Sequence, residues 1–432
     1  MRTITPVRVR QFLSPALITL VALLVALYAL TPPATARAIG HQVQTPFAGI
    51  SPFGIGGDYH TGLTVQALSQ WIPQMQAIGI HVMRCCYANE MAYLTAHRMQ
   101  FGGLLYGVPP GDTKDRPGTL PVNNLRAWSQ WVTRTVRAAH GKVKYWEVWN
   151  EPPNGTGRHQ TPADYAKILI AAYNAAKAVD PHCKIGMAAK SVDVSYLEQV
   201  IKAGGKNHFN YITLHPYEVL GCAVDHGQDA VYMHMVPTVR KMLAAIDPAQ
   251  VNVPVWLTEV GYNSVPSPAR QADALVQAYA MGIAQGITCI NWFEGMDGDS
   301  GPMGVLTAKL TPRPAYTAMA QMIKYMGQHP VYLGWVLLAG KDYGFVFQGA
   351  HTTVLSAWAP LHTTNPVRFG RAVEIVHPLT GATTKARSFS LGSTPILVVH
   401  VPGAVVREAR KNKFKPLPWE GSYARAKSVS IT

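Results

Sequence analysis

From residue 50 onward the apolar positions change period repeatedly. Short runs rich in β-branched and aromatic residues alternate with longer runs in which apolar residues recur every third or fourth position. The short runs predict strands at 53–57, 80–84, 101–106, 143–148, 184–187, 211–214, 253–258 and 288–293. The longer runs predict helices at 64–78, 91–99, 164–179, 194–203, 230–246, 268–285 and 314–326, with a further helix ending near Ala139. Thr161 and Pro162 supply a capping residue and an N1 proline for the helix at 164–179. Eight strand–helix pairs within about 280 residues predict an α/β fold of the (β/α)8 or TIM-barrel type. The rival, an open doubly wound sheet, calls for a G-x-G-x-x-G turn leading into a helix. The glycines between Phe53 and Asp58 lack that spacing.

After Gln328 the period shortens. Runs at 343–348, 352–358, 372–376, 384–391 and 396–401 alternate like strands, with a turn at Leu379-Thr380-Gly381. They predict a small C-terminal antiparallel β-sandwich. The expected organisation is a segment 1–38, a barrel 39–328 whose residues 39–49 lend the sandwich a strand, a sandwich 329–402 and a basic tail 403–432.

Composition adds little to the fold and more to the setting. The chain has 432 residues, is 48% hydrophobic and only 14% charged, which suits a packed core and excludes a disordered protein. Arg2, Arg8 and Arg10 precede an apolar run at 16–30, and Ala34-Thr35-Ala36 follows as a small-residue cleavage site. That arrangement predicts a secretory signal in preference to an uncleaved anchor, and a secreted or cell-envelope location. The net charge of +15 is concentrated at the ends, with +4 in residues 1–38 and +5 in residues 403–432. The C-terminal cluster reads as a solvated tail or as an attraction site for an anionic cell-envelope polymer. No segment has the form of a nucleic-acid module, and the chain is expected to be a monomer. The five cysteines, Cys85, Cys86, Cys183, Cys222 and Cys289, have no metal-ligand spacing. Cys183 and Cys289 read as buried hydrophobes, and Cys222 as a loop cysteine open to a disulfide.

The chemistry gathers where two buried strands end. Trp146-Glu147-Val148-Trp149-Asn150-Glu151-Pro152 runs from a strand into a proline, and Trp256-Leu257-Thr258-Glu259-Val260-Gly261 ends a later one. In a barrel such ends share one face, where active sites form. Paired carboxylates there, Glu151 and Glu259, are what glycosidic bond cleavage requires. Glu147, deeper along its strand, reads as a structural partner. Glu294, Asp297 and Asp299 read as rim residues or a loose metal loop, but no calcium-loop spacing is present. No cofactor and no metal are expected.

These two motifs together resemble the retaining enzymes of glycoside hydrolase clan A. Within the clan the chain looks most like family 39 and related bacterial exopolysaccharide endoglycosidases. Residues 165–181, Leu214-His215-Pro216-Tyr217 and the sandwich fit the same pattern, over about residues 50–326 and more loosely beyond. The resemblance implies an oligo- or polysaccharide substrate, with Glu259 as nucleophile and Glu151 as acid/base. It implies further that Asn150 bonds the sugar 2-hydroxyl, that Arg84 keeps the nucleophile ionised, that His215 and Tyr217 serve the carboxylates, and that Trp292 is an aromatic floor. As the acid, Glu151 is expected to have a raised pKa, pushed up by Glu259. Rival outcomes on the same scaffold are a non-catalytic glycan-binding protein and a transglycosylase.

Overall fold

The computed structural model describes residues 49–57, 63–85, 88–153, 160–339 and 342–418. The signal segment, the strand expected before residue 49, Cys86 and the last residues of the tail lie outside them. Eight parallel strands close into a barrel in sequence order. They are β1 (Phe53–Ile55), β2 (Val82–Cys85), β3 (Gln100–Leu105), β4 (Tyr145–Val148), β5 (Lys184–Ala188), β6 (Tyr211–Leu214), β7 (Val255–Val260) and β8 (Cys289–Trp292).

The helices that connect them are α1 (Val65–Ala77), α2 (Ala88–Ala96), α3 (Leu125–Ala138), α4 (Pro162–Val179), α5 (Val194–Val200), α6 (Tyr217–His226), α7 (Asp229–Met233), α8 (Met235–Ile246) and α9 (Pro268–Ala284). A last barrel helix, α10 (Pro314–Met326), follows β8. Local chemistry sets where several begin. The side chains of Thr64, Asn124, Thr161, Asp193 and Ser267 each accept from a backbone N–H of the first turn. Pro162, Pro268 and Pro314 occupy first-turn positions, where a missing N–H costs nothing. The segment around Cys222, expected as a loop, is the helix α6. Its Gly227 adopts the left-handed C-cap at φ 64°, and its backbone N–H donates to Ala223 O.

Strand alternation sorts the side chains into layers. One set, including Ile55, Trp146, Ile212, Leu257 and Ile290, faces the helices in the main core. The other fills the barrel. Its lower layer is apolar, with Val82, Tyr145, Tyr211, Trp256 and Cys289 in one cluster with Ile50. The ring centroids of Tyr145 and Tyr211 each lie 4.7 Å from that of Trp256. This plug supports the polar layer above it.

The antiparallel domain is one six-stranded sheet in the order β13-β12-β14-β11-β10-β9. Its strands are β9 (Val331–Val336), β10 (Tyr343–Gln348), β11 (Thr353–Trp358), β12 (Asn365–Val376), β13 (Thr383–Leu391) and β14 (Ile396–Val399). Phe345, Phe347 and Trp358 belong to the same core as the barrel helices, whereas Val336, Val346, Leu355 and Val398 form a second core.

Residues 403–412 correct the expected tail. They form a helix, α11 (Gly403–Asn412), whose Val405 and Ala409 are buried in that second core. Gly334 of β9 makes this possible, because a Cβ there would stand 1.8 Å from Ala409 O. Cys183, Cys222 and Cys289 are free thiols, so the disulfide considered for Cys222 is not formed. Among the described residues, no helix is long and apolar enough to cross a membrane.

Candidate active site

Glu147 and Arg84 form the polar layer directly above the apolar plug. Glu147 is 2% exposed. Its Oε2 pairs with Arg84 Nε at 2.6 Å. Its Oε1 accepts from the hydroxyls of Thr213 at 2.6 Å and Thr258 at 3.0 Å. Three donors from three strands fix this carboxylate, so Glu147 has the structural partners expected of it. Its role is to aim Arg84, whose remaining nitrogens point up the barrel. Arg84 Nη1 donates to Glu259 Oε1, and Nη2 donates to Asn150 Oδ1 at 2.9 Å. One rigid guanidinium thus braces the ends of β4 and β7 together.

Each strand end uses a backbone device to present its carboxylate. Between β7 and β8 the register pairs Leu257 with Ile290 but Val260 with Trp292. One extra residue is therefore accommodated in β7, a β-bulge. Strict alternation would turn either Thr258 or Glu259 outward. With the bulge, Thr258 reaches down to Glu147 and Glu259 reaches across to Arg84. After β4, Trp149 and Glu151 both take left-handed backbone angles, φ 67° and 49°. Such angles are uncommon for these residue types and mark a turn held by its surroundings. The hold is visible: Tyr165 of α4 donates its hydroxyl to Val148 O at 2.8 Å and accepts from Ala188 N at 2.7 Å.

The two carboxylates meet at His215. One oxygen of Glu151, one of Glu259 and a ring nitrogen of His215 all lie within 4.8 Å of one another. His215 Nδ1 stands 2.8 Å from Glu151 Oε1 and 3.5 Å from Glu259 Oε2. Its Nε2 stands 3.0 Å from Thr258 Oγ1. Because the Thr258 proton goes to Glu147, Nε2 must be the donor in that contact. The mobile proton of the site therefore lies between Nδ1 and Glu151. Tyr217, at the first position of α6, donates its hydroxyl to Glu259 Oε2 at 2.9 Å. Burial first, and then the Glu259 charge, push that phenol well up, which keeps it a donor.

The charge balance reverses one expectation. Burial favours a protonated Glu151, but the His215 hydrogen bond and the charges of His215, Arg84 and Lys190 outweigh it, so its pKa falls below the ordinary carboxylate value. Burial disfavours a charged His215, yet the Glu259 charge and the Glu151 hydrogen bond raise its pKa. Both shifts run against the raised Glu151 expected from the sequence and favour His215 as the proton carrier of the pair. The same three groups have a spacing that fits a metal ion, but Arg84 already supplies a positive charge to Glu259.

Trp292 does not reach this site. It is 0% exposed and occupies the main core with Ile290, two residues earlier on β8, whose Cδ1 lies against Gly282 of α9. Its ring therefore faces the helices. The next residue, Phe293, turns toward the pocket and meets the Tyr217 ring edge-on, with centroids 6.2 Å apart. Glu294 and Asp297 are not rim residues either. Glu294 is fully buried and accepts from Gly298 N, and Asp297 holds Arg313 through both oxygens at 2.7 Å. They shape the loop after β8. The sequence reading also missed Thr213, Thr258 and Phe293; alternation along β6 was a clue that Thr213 faces inward, whereas the bulge in β7 hid the orientation of Thr258.

No family model matches the chain, and no curated protein matches it. Solved structures do. A family 39 glycoside hydrolase from Bacteroides cellulosilyticus WH2 is similar at 18% identity and a TM-score of 0.67, over 81% of this chain and 80% of that one. An α-L-arabinofuranosidase from Thermotoga maritima gives 11% and 0.57, over 83% and 97%. A GH30 endoxylanase from Clostridium papyrosolvens C71 gives 11% and 0.55, over 81% and 97%. The likeness is one of fold: the chain has the barrel architecture of clan-A glycosidases, with family 39 one of several families it is similar to.

Proposed function

We propose that this protein is a retaining glycoside hydrolase that cleaves O-glycosidic bonds of an oligo- or polysaccharide by double displacement. The observation that carries this is the pair of carboxylates, Glu151 and Glu259, with oxygens within 4.8 Å across the barrel mouth. Retaining enzymes hold their carboxyl groups about 5–5.5 Å apart, and inverting ones leave room for a water at about 6.5–9.5 Å.

Glu259 is the nucleophile. Arg84 and Tyr217 both donate to it, which favours the ionised form and aims it. Its oxygen attacks the anomeric carbon while the bond to the leaving oxygen breaks. Glu151 protonates that oxygen, drawing on the proton it shares with His215 Nδ1. In the second step Glu151 takes a proton from water, and the water oxygen displaces Glu259 with net retention. Asn150, held by Arg84, is the partner of the sugar 2-hydroxyl. Phe293 takes the place expected of Trp292 as the apolar wall. The Arg-flanked apolar segment within residues 1–38 supports export, where such polymers are met.

The test separates the two glutamates. With a 2,4-dinitrophenyl glycoside, Glu151→Ala should show an initial burst and then slow turnover, because the leaving group needs no acid but water needs a base. Azide should restore turnover and give a glycosyl azide of retained configuration. Glu259→Ala should lose several orders of magnitude on every substrate. Azide rescue of Glu259→Ala with a product of retained configuration, and an inverted azide product from Glu151→Ala, would reverse the two roles.

A further inference from the structure

Glu151 hands its proton to the departing oxygen, so the leaving group must lie on the Glu151 side of the anomeric carbon, away from Glu259. Glu151 follows β4, and its neighbours in the closed barrel are the ends of β3 and β5.

Beyond β3 stands Tyr106, 46% exposed, one of only five large apolar side chains exposed among the described residues. Its ring lies 4.6 Å from that of Trp149, tilted by 52°. Trp149 is fully buried and precedes Glu151 by two residues. One part of the Tyr106 ring is thus braced against the acid/base turn, and the rest faces water. Beyond β5 stands Lys190, exposed, whose backbone N–H donates to Pro152 O at 3.0 Å. Its charge acts on both Glu151 and Glu218. Glu218 lies in the first turn of α6 with its side chain open to solvent. An aromatic face, an ammonium and a carboxylate thus belong to segments beside the Glu151 turn: Tyr106 through Trp149, Lys190 through Pro152, and Glu218 from the start of α6.

We propose that Tyr106, Lys190 and Glu218 form a subsite for a sugar ring on the leaving-group side of the cleaved bond. A pyranose presents an apolar C–H face, which suits a braced phenol ring, and hydroxyl edges that accept from an ammonium and donate to a carboxylate. The substrate then carries a sugar as its leaving group, in preference to a small alcohol. This inference rests on the retaining reading of Glu151 and Glu259.

The covalent glycosyl-enzyme allows both to be tested apart. The protein is inactivated with the 2,4-dinitrophenyl 2-deoxy-2-fluoro derivative of whichever sugar it hydrolyses as an aryl glycoside. Reactivation is then timed in buffer alone and with added methyl β-glucoside, methyl β-xyloside, methyl β-mannoside or cellobiose. A sugar acceptor should speed release saturably, because its hydroxyl attacks the anomeric carbon, loses its proton to Glu151 and frees Glu259. In Tyr106→Ala the half-saturating acceptor concentration should rise about tenfold, the change expected on uncovering one ring face. Lys190→Ala and Glu218→Gln should each raise it about threefold. The readout is the acceptor-driven rate relative to the water-driven rate of the same variant, so a general loss of activity cancels. If no covalent enzyme forms, the retaining reading itself fails and the subsite falls with it. If it forms but no acceptor speeds release, or Tyr106→Ala saturates like the native protein, the subsite alone is overturned.

Discussion

Replacing His215 by Asn tests where the working proton resides. The structure gives His215 two negative neighbours, Glu151 Oε1 at 2.8 Å and Glu259 Oε2 at 3.5 Å. At an effective dielectric of 20, a charge pair at 3.5 Å is worth about 5 kcal/mol. Burying the imidazolium offsets several kcal/mol of that. The balance raises the pKa of His215, and one pKa unit is worth about 1.4 kcal/mol. The native pair therefore holds its proton above the ordinary histidine range, and the alkaline limb of kcat/KM should report that coupled value. In His215→Asn only Glu151 remains to hold the proton. Burial still pushes Glu151 up and Arg84 and Lys190 still pull it down, and a carboxyl starts about two units below an imidazole. The alkaline limb should move toward acid by about one to two pH units. The loss in kcat/KM should then be small near pH 5 and roughly ten- to a hundredfold larger near pH 8. A pH–rate profile with an activated aryl glycoside and one with an unactivated disaccharide would measure it. An alkaline limb that stays in place with the disaccharide would refute the shared proton.

Three further outcomes follow from named contacts. Arg84→Lys keeps the charge but replaces three directed nitrogens by one, so kcat/KM should fall by roughly 10²–10³ and the melting temperature should drop measurably; a variant within threefold of native would show that the fork is dispensable. Burial raises Asp229 to about 6 and Asp273 to about 7 where α7 and α9 meet the sheet. The folded protein thus binds protons that the unfolded chain has released. This contribution is full below the unfolded value near 4 and is lost as pH rises through about 6 and 7, by up to about 1.4 kcal/mol per pH unit for each group. Asp273→Asn should flatten the decline in urea midpoint between about pH 5 and about pH 7.5, and an unchanged slope would count against it. Deleting residues 419–432 should leave the melting temperature in place, whereas cutting at Gly403 should lower it by uncovering the β9 face that α11 packs on. Arg407, Arg410 and Lys411 are exposed on that helix, so reversing all three charges should weaken low-salt binding to an anionic polymer more than removing 419–432 does; the opposite order would return the envelope contact to the terminal segment.

Much of the site was legible because its chemistry sits at strand ends. Glu151 and Glu259 stood out, since a carboxylate closing a buried apolar run has few uses. Arg84, His215, Tyr217 and Asn150 could be placed at the mouth by the same rule, and all four contact one of the two glutamates or Arg84. Trp292 could not be placed, because one position of register decides whether a side chain faces the barrel or the helices. Two strand-end devices were also silent: the bulge that turns both Thr258 and Glu259 inward, and the left-handed turn at Trp149 and Glu151.

Sequence by itself determined the succession of strands and helices, the closure into a barrel, the change to antiparallel strands after residue 328 and the two carboxylates. These depend on period, composition and punctuation, which are local in the chain. Only the tertiary structure decided the direction in which the Glu151 pKa moves, because the charges that lower it come from Arg84 on β2 and from Lys190 and His215 just beyond β5 and β6. It alone decided that residues 403–412 are a packed helix, because the partner that buries Val405 and Ala409 is a glycine-bearing strand more than sixty residues earlier. Coulomb energies and packing depend on distance in space, and the chain specifies those distances only once it is folded.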